Sequence, residues 1–180
     1  AVDACPAGNN GTRDIIELPA GTYRIENGDS FEHILNGETH IRGAGMNQTV
    51  IVRTDLNAHD YIFAIMSTGT LTLQDMSIRQ FSQNRRAESY NYGGPLMNFG
   101  TLRMYGVAMQ GNSVRNGGAA LVHEGQQAEI YSSVFAGNDG DTERGDAITN
   151  RGNMTLVNNA FRGNDEAIRN EAPLRANYNC

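Results

Sequence analysis

The sequence predicts an all-β fold, a parallel β-helix or β-solenoid of about six coils, and three observations carry that reading. Gly69, Gly100, Gly125 and Gly152 each open a short phrase, GTLTL, GTLRM, GQQAEI and GNMTL, at steps of 31, 25 and 27 residues. The large apolar residues Ile78, Met109, Phe135 and Phe161 recur at steps of 31, 26 and 26. Self-similarity at periods of about 20–50 residues marks a solenoid, a propeller or an array. Inside each phrase the apolar residues alternate: Leu71/Leu73, Leu102/Met104, Ala128/Ile130 and Met154/Leu156 share one face. Alternation is the signature of a strand, and no long segment carries the apolar stripe of a helix.

Taken in order, IIELPAGTYRI (15–25) reads as two strands around a Pro-Ala-Gly turn, and THIRGAGMNQTVIV (39–52) as two more around a Gly-rich turn. From residue 65 onward each repeat supplies three short strands separated by polar turns. Equivalent side chains then stack about 4.8 Å apart, and six coils make a rod of roughly 30 Å. The aliphatic column Ile65–Leu96–Leu121–Ile148–Ile168 and the column Ile78–Met109–Phe135–Phe161 fill the interior. A polar column, Ser67–Asn98–His123–Asn150–Asn170, is expected at a turn, where stacked Asn side chains bond one another. A second Asn column follows from MQGN (109–112), FAGN (135–138) and FRGN (161–164), setting Asn112, Asn138 and Asn164 in line. FSQN (81–84) echoes it three residues out of step.

The phrases FAGN and FRGN, with GGAA (117–120) and GDAI (145–148), resemble the F-x-x-N and G-G-A-I repeats of polymorphic outer-membrane proteins and bacterial surface adhesins. ELPAGTYRI and THIRGAGMNQTVI resemble the opening coils of secreted β-helices in the pectate-lyase-like superfamily. The resemblance spans roughly residues 14–176. It implies a single-stranded right-handed parallel β-helix, with an N-terminal tail at 1–13 and a C-terminal tail at 177–180 that carries Cys180. It implies a secreted protein of the extracellular space or cell surface. It does not choose among the lyases, hydrolases, tailspikes and adhesins that share the fold. Unlike the large outer-membrane members, the chain has no room for a β-barrel anchor.

With 180 residues the chain is long enough for one continuous core. There is no run of apolar residues long enough to span a membrane. AVDAC reads as a mature N-terminus from which a signal peptide has gone. A net charge of −6 opposes nucleic-acid binding. All 14 basic residues are Arg; nothing in the sequence explains the absence of Lys. Cys5 and Cys180 have neither metal-site nor redox spacing. They are disulfide candidates, and three states stay open: closure within one chain by a tail running back along the rod, linkage of Cys180 to Cys5 of the next molecule, or unpaired thiols. An N-terminal cap is not visible, and uncapped solenoid ends favour head-to-tail stacking into fibres.

Chemistry is sparse. The unequal segments 84–92, 113–116 and 139–144 leave the coils at one equivalent turn. They gather Arg85, Arg86, Tyr90, Tyr92, Arg115, Asp141, Glu143 and Arg144 as a candidate binding face, against the plainer reading of a solvated charged edge. Asp139, Asp141 and Glu143 are weak Ca²⁺ candidates without EF-hand spacing. No column stacks the paired carboxylates that glycoside chemistry needs, so no catalytic residue is assigned. Trp is absent, while seven Tyr remain for sugar stacking. His33, His40, His59 and His123 read as surface or turn residues. Asn10, Asn47 and Asn153 begin glycosylation sequons. No cofactor is called for. The sequence therefore points to a secreted, non-enzymatic β-solenoid, structural or adhesive, with itself as the expected partner. The alternatives are a carbohydrate-active β-helix and a glycan-binding module of a larger surface protein.

Overall fold

The computed structural model describes residues 13–25, 33–35, 37–53, 61–83, 94–114, 118–140 and 145–180. They form nineteen strands and no helix. Every strand pairing among them is parallel and joins residues 20–33 apart along the chain. Three long ladders of stacked strands result, with a short separate pair, Ser82–Gln83 and Ser113–Val114, the arrangement of a β-solenoid.

The first ladder runs through Arg13–Glu17, Glu38–Arg42, Thr70–Arg79, Thr101–Gln110, Gln127–Tyr131, Asn153–Val157 and Leu174–Asn177. Its inward row is Ile16–Ile41–Leu73–Met104–Ile130–Leu156–Ala176. The second ladder uses Gly21–Ile25, Thr49–Arg53, the far halves of the two long strands, Val134–Ala136 and Ala160–Arg162. Its inward row is Ile51–Ile78–Met109–Phe135–Phe161. The third ladder stacks His33–Leu35, Phe63–Ile65, Leu96–Asn98, Leu121–His123, Ile148–Asn150 and Ile168–Asn170. Alternation sends every second side chain inward, and all three inward rows merge into one core.

The third ladder corrects one expectation. Leu96 pairs with Phe63, and Asn98 pairs with Ile65. The predicted partners, Ile65 and Ser67, lie two residues further on. The turn from Ile65 to Thr70 is two residues longer than its counterpart from Asn98 to Thr101. The first ladder absorbs the difference, because Thr101 still pairs with Thr70. Ser67 is accordingly exposed outside the polar column.

Corners are built from left-handed residues stacked coil upon coil. Asp75, Gly106, Ser132, Asn158 and Tyr178 have φ of 53°, 60°, 49°, 56° and 54° where the first ladder turns into the second. Gln80, Gly111, Gly137 and Gly163 repeat this beyond the second ladder, at 57°, 60°, 59° and 59°. The glycine of each F-x-G-N phrase is thus there for its backbone sign, since a Cβ added at Gly137 would meet nothing within 4 Å.

The column Gly100–Gly125–Gly152 has the opposite reason. A Cβ on Gly152 would stand 2.2 Å from the Gly125 carbonyl oxygen and 2.6 Å from His123 Nε2. Backbone and a packed ring cannot yield cheaply, so Gly152→Ala is expected to cost about 1–3 kcal/mol. Gly137→Asn is expected to be nearly neutral, because Asn tolerates that backbone region. Urea unfolding of the two variants checks this; equal costs would refute the distinction.

Candidate functional site

Three Asn-rich ladders run inside the solenoid, and the bonds of the first two follow one rule. The side-chain oxygen of one coil accepts the backbone N–H and the amide of the coil before it. The side-chain amide also donates back to a main-chain oxygen. Asn112 Nδ2 donates to Asn138 Oδ1 at 3.0 Å, and Asn138 Nδ2 to Asn164 Oδ1 at 3.1 Å. Asn138 Nδ2 and Asn164 Nδ2 also donate to the oxygens of Met109 and Phe135. Phe81 occupies the next position down, where its N–H donates to Asn112 Oδ1 at 3.0 Å. Beside this column Phe135 and Phe161 stack with centroids 5.1 Å apart, and Met109 is fully buried.

A further ladder went unread in the sequence. Val107 N–H donates to Ser133 Oγ, Ser133 N–H to Asn159 Oδ1, and Asn159 N–H and Nδ2 to Asn179 Oδ1. The signal was a small or amide residue two positions before each large apolar one, in SVF (133–135) and NAF (159–161). Its variable residue types hid it.

The remaining column holds Asn98, His123, Asn150 and Asn170 at the last residue of each strand, not in a turn. Asn98, His123 and Asn150 are fully buried. Asn150 Nδ2 donates to Asn170 Oδ1 at 2.6 Å. The expectation that His123 is a surface or turn residue is therefore wrong. The ring takes the place of an Asn amide and finds partners for both nitrogens inside the stack. Asn98 Nδ2 donates to Nδ1 at 2.9 Å, Gly125 N–H donates to Nδ1 at 3.3 Å, and Nε2–H donates to the Asn153 oxygen at 3.0 Å. Two donors at Nδ1 fix the neutral Nε2–H tautomer. Burial holds the ring below the ordinary imidazole range, prevailing over its bonds to Asn153 and Asn98 and over nearby Glu124.

The predicted binding face, Arg85, Arg86, Tyr90, Tyr92, Arg115, Asp141, Glu143 and Arg144, lies outside the described residues, as do Cys5 and His59. Asp139 is described: it is exposed and bridges to Ser113. Neighbouring Asp146 is buried and spends both oxygens on backbone, accepting from Gly140 and Glu166 N–H at 3.4 and 2.9 Å. Among the described residues no group of three or more His, Cys, Asp or Glu is placed to hold a metal ion. His40 is half-buried and pairs with Gln74 across coils at 3.2 Å.

Two surfaces stand out. On the outer side of the first ladder, Gln126, Gln127, Asn153, Thr155, Pro173 and Arg175 line an open groove of about 310 Å³. Nearby, Tyr105 and Tyr131 stack with centroids 5.4 Å apart, and Tyr105 is partly exposed. The other surface is the last coil. Leu174–Asn177 and Ile168–Asn170 pair on one side only among the described residues. Phe161, Ile168 and Leu174 are only partly buried there, and Tyr178 is 89% exposed. Cys180 is an exposed free thiol whose backbone bonds Asn159 and Phe161, so the chain end runs along the Ala160–Arg162 edge.

No helix long and apolar enough to cross a membrane is present among the described residues. No family model, curated protein or solved structure matches the chain.

Proposed function

We propose that this chain is a right-handed, single-stranded parallel β-helix of about six coils that serves as a secreted, non-enzymatic structural or adhesive protein. In this reading it stacks head to tail into a fibre at the cell surface. Handedness rests on sterics: parallel strands joined by a crossover are right-handed in about 98% of cases. The observation that carries the fibre is the open last coil. Its inward residues Ile168 and Leu174 are only partly buried, and among the described residues Ile168–Asn170 and Leu174–Asn177 have a strand partner on one side alone. Arg13–Glu17 and Gly21–Ile25 also pair on one side only among the described residues. Continuing the first ladder by one step would set Leu174–Asn177 beside Arg13–Glu17 of the next molecule, and such a contact does not close.

The test is electron microscopy and sedimentation of the 180-residue protein, with Ala176→Arg as the blocking variant, and SDS gels with and without reductant. Filaments lost in Ala176→Arg are expected. A ladder that collapses to a band of about 20 kDa on reduction would place Cys180–Cys5 links between molecules; the mass follows from the sequence. A monomer at all concentrations would end the fibre reading.

A glycan-binding module is the second reading, and the groove at Asn153, Thr155 and Arg175, with the Tyr105–Tyr131 pair further along the same ladder, favours it. Stacked tyrosines and convergent amides suit a sugar ring. Glycan-array binding lost in Arg175→Ala and Tyr105→Ala together would raise this reading above the first.

A further inference from the structure

The Asn98–His123–Asn150–Asn170 column has one rung made of a titratable group, and only one of its protonation states fits. An Asn rung offers an oxygen to the N–H two residues ahead and an N–H to the main-chain oxygen at the start of the next coil's strand. Asn98 does both: its Oδ1 accepts from Gly100 at 3.0 Å and its Nδ2 donates to the Gln127 oxygen at 3.2 Å. His123 repeats this with ring atoms. Nδ1 accepts from Gly125 as Oδ1 would, and Nε2–H donates to Asn153 as Nδ2 would. Neutral imidazole is therefore a functional copy of the amide.

The imidazolium is not. A proton on Nδ1 would face two donors, Asn98 Nδ2 and Gly125 N–H, at 2.9 and 3.3 Å. The ring has little room on the Nε2 side, where even one added carbon on Gly152 would sit 2.6 Å from it. Nearby charge gives little relief. Leu96–Asn98 and Ile148–Asn150, the strands on either side, contain no acidic or basic residue. Glu124, next in the chain, has its carboxylate 2.7 Å from Arg151 of the following coil, which also holds Glu171 at 3.0 Å. Glu129 on the adjoining strand faces outward and pairs with Arg103.

We propose that His123 is an acid-sensitive rung: protonation breaks the stack between Leu96–Asn98 and Leu121–His123 and loosens the coils from Leu121 onward. The sign follows from linkage. The unfolded chain binds the proton at the ordinary imidazole value and the folded chain only below it. Stability is whole above about pH 6.5, falls as pH drops below it, and levels off under the folded value. Since coils contact only their neighbours, the loss concentrates on one side of the rung.

The experiment is amide exchange at pH 7.5 and at stepwise lower pH, corrected for intrinsic exchange, on the wild-type chain and on His123→Asn. Wild type is expected to lose protection at Gly125 and across 121–140 and 145–180, by about tenfold per pH unit between the two imidazole values. His123→Asn restores an amide rung and is expected to keep its protection over that range. An equal loss in both proteins overturns the proposal, as does unchanged protection in wild type. Should the variant fail to fold, the ring's own NMR titration in wild type decides: an ordinary imidazole value, or the Nδ1–H tautomer, overturns it.

Discussion

Phe135→Ala is expected to destabilise the solenoid by about 3–5 kcal/mol, the range for removing a fully buried aromatic ring from a packed core. Phe135 has no exposed surface, lies in line with Met109 and stacks on Phe161. The cavity collapses poorly, because the side chains around it are carried by strands held in register on both sides. Phe161, one coil further on, is only partly buried. The same substitution there is expected to cost roughly half as much, since less apolar area returns to water. Urea denaturation followed by circular dichroism measures both. Equal losses would show that the last coil is covered, by a second molecule or otherwise, and not open as described.

Asn138→Ala is expected to cost about 3 kcal/mol or more, through bonds and not volume. The alanine removes the acceptor of Asn112 N–H and of Asn112 Nδ2, at 3.3 and 3.0 Å, inside a column closed to water. It also strips the Met109 oxygen and Asn164 Oδ1 of a donor, at 3.1 Å each. Each buried group left without a partner costs about 1–3 kcal/mol. Asn164→Ala removes the same kind of acceptor where water reaches, and is expected to be milder. A loss for Asn138→Ala no larger than for an exposed site such as Asn177→Ala would mean that the ladder contributes nothing to stability. Such columns are a device for register as well as for stability. A coil slipped by one residue would face every amide with the wrong partner, whereas apolar rows tolerate small shifts.

Much of this was legible in the chain. Alternation in GTLTL and GNMTL fixed strands, and a step of 26 residues between Met109, Phe135 and Phe161 fixed their stacking, because parallel coils place equivalent residues in contact. The Asn112–Asn138–Asn164 line could be read for the same reason. The column Asn98–Asn150–Asn170 could be read in part, but not its join to the coil before. A two-residue difference in one turn moves the register of one ladder while leaving another intact, and nothing in residues 65–70 announces where the slack is taken up. The corner column Asp75–Gly106–Ser132–Asn158–Tyr178 was hidden because five different residue types share one backbone sign.

The periodic pattern by itself determined the class of fold and most of the interior, since a short repeat leaves stacking as the only way to bury its apolar face. Burial decided the rest. His123 reads in the sequence as a scattered polar residue. Only the surrounding strands take its water away, present two donors to one nitrogen and an acceptor to the other, and so choose its protonation state. Likewise Gly137 and Gly152 are the same letter in the chain. The three-dimensional neighbourhood makes the first a matter of backbone sign and the second a matter of space, because the second alone has another coil's backbone lying against it.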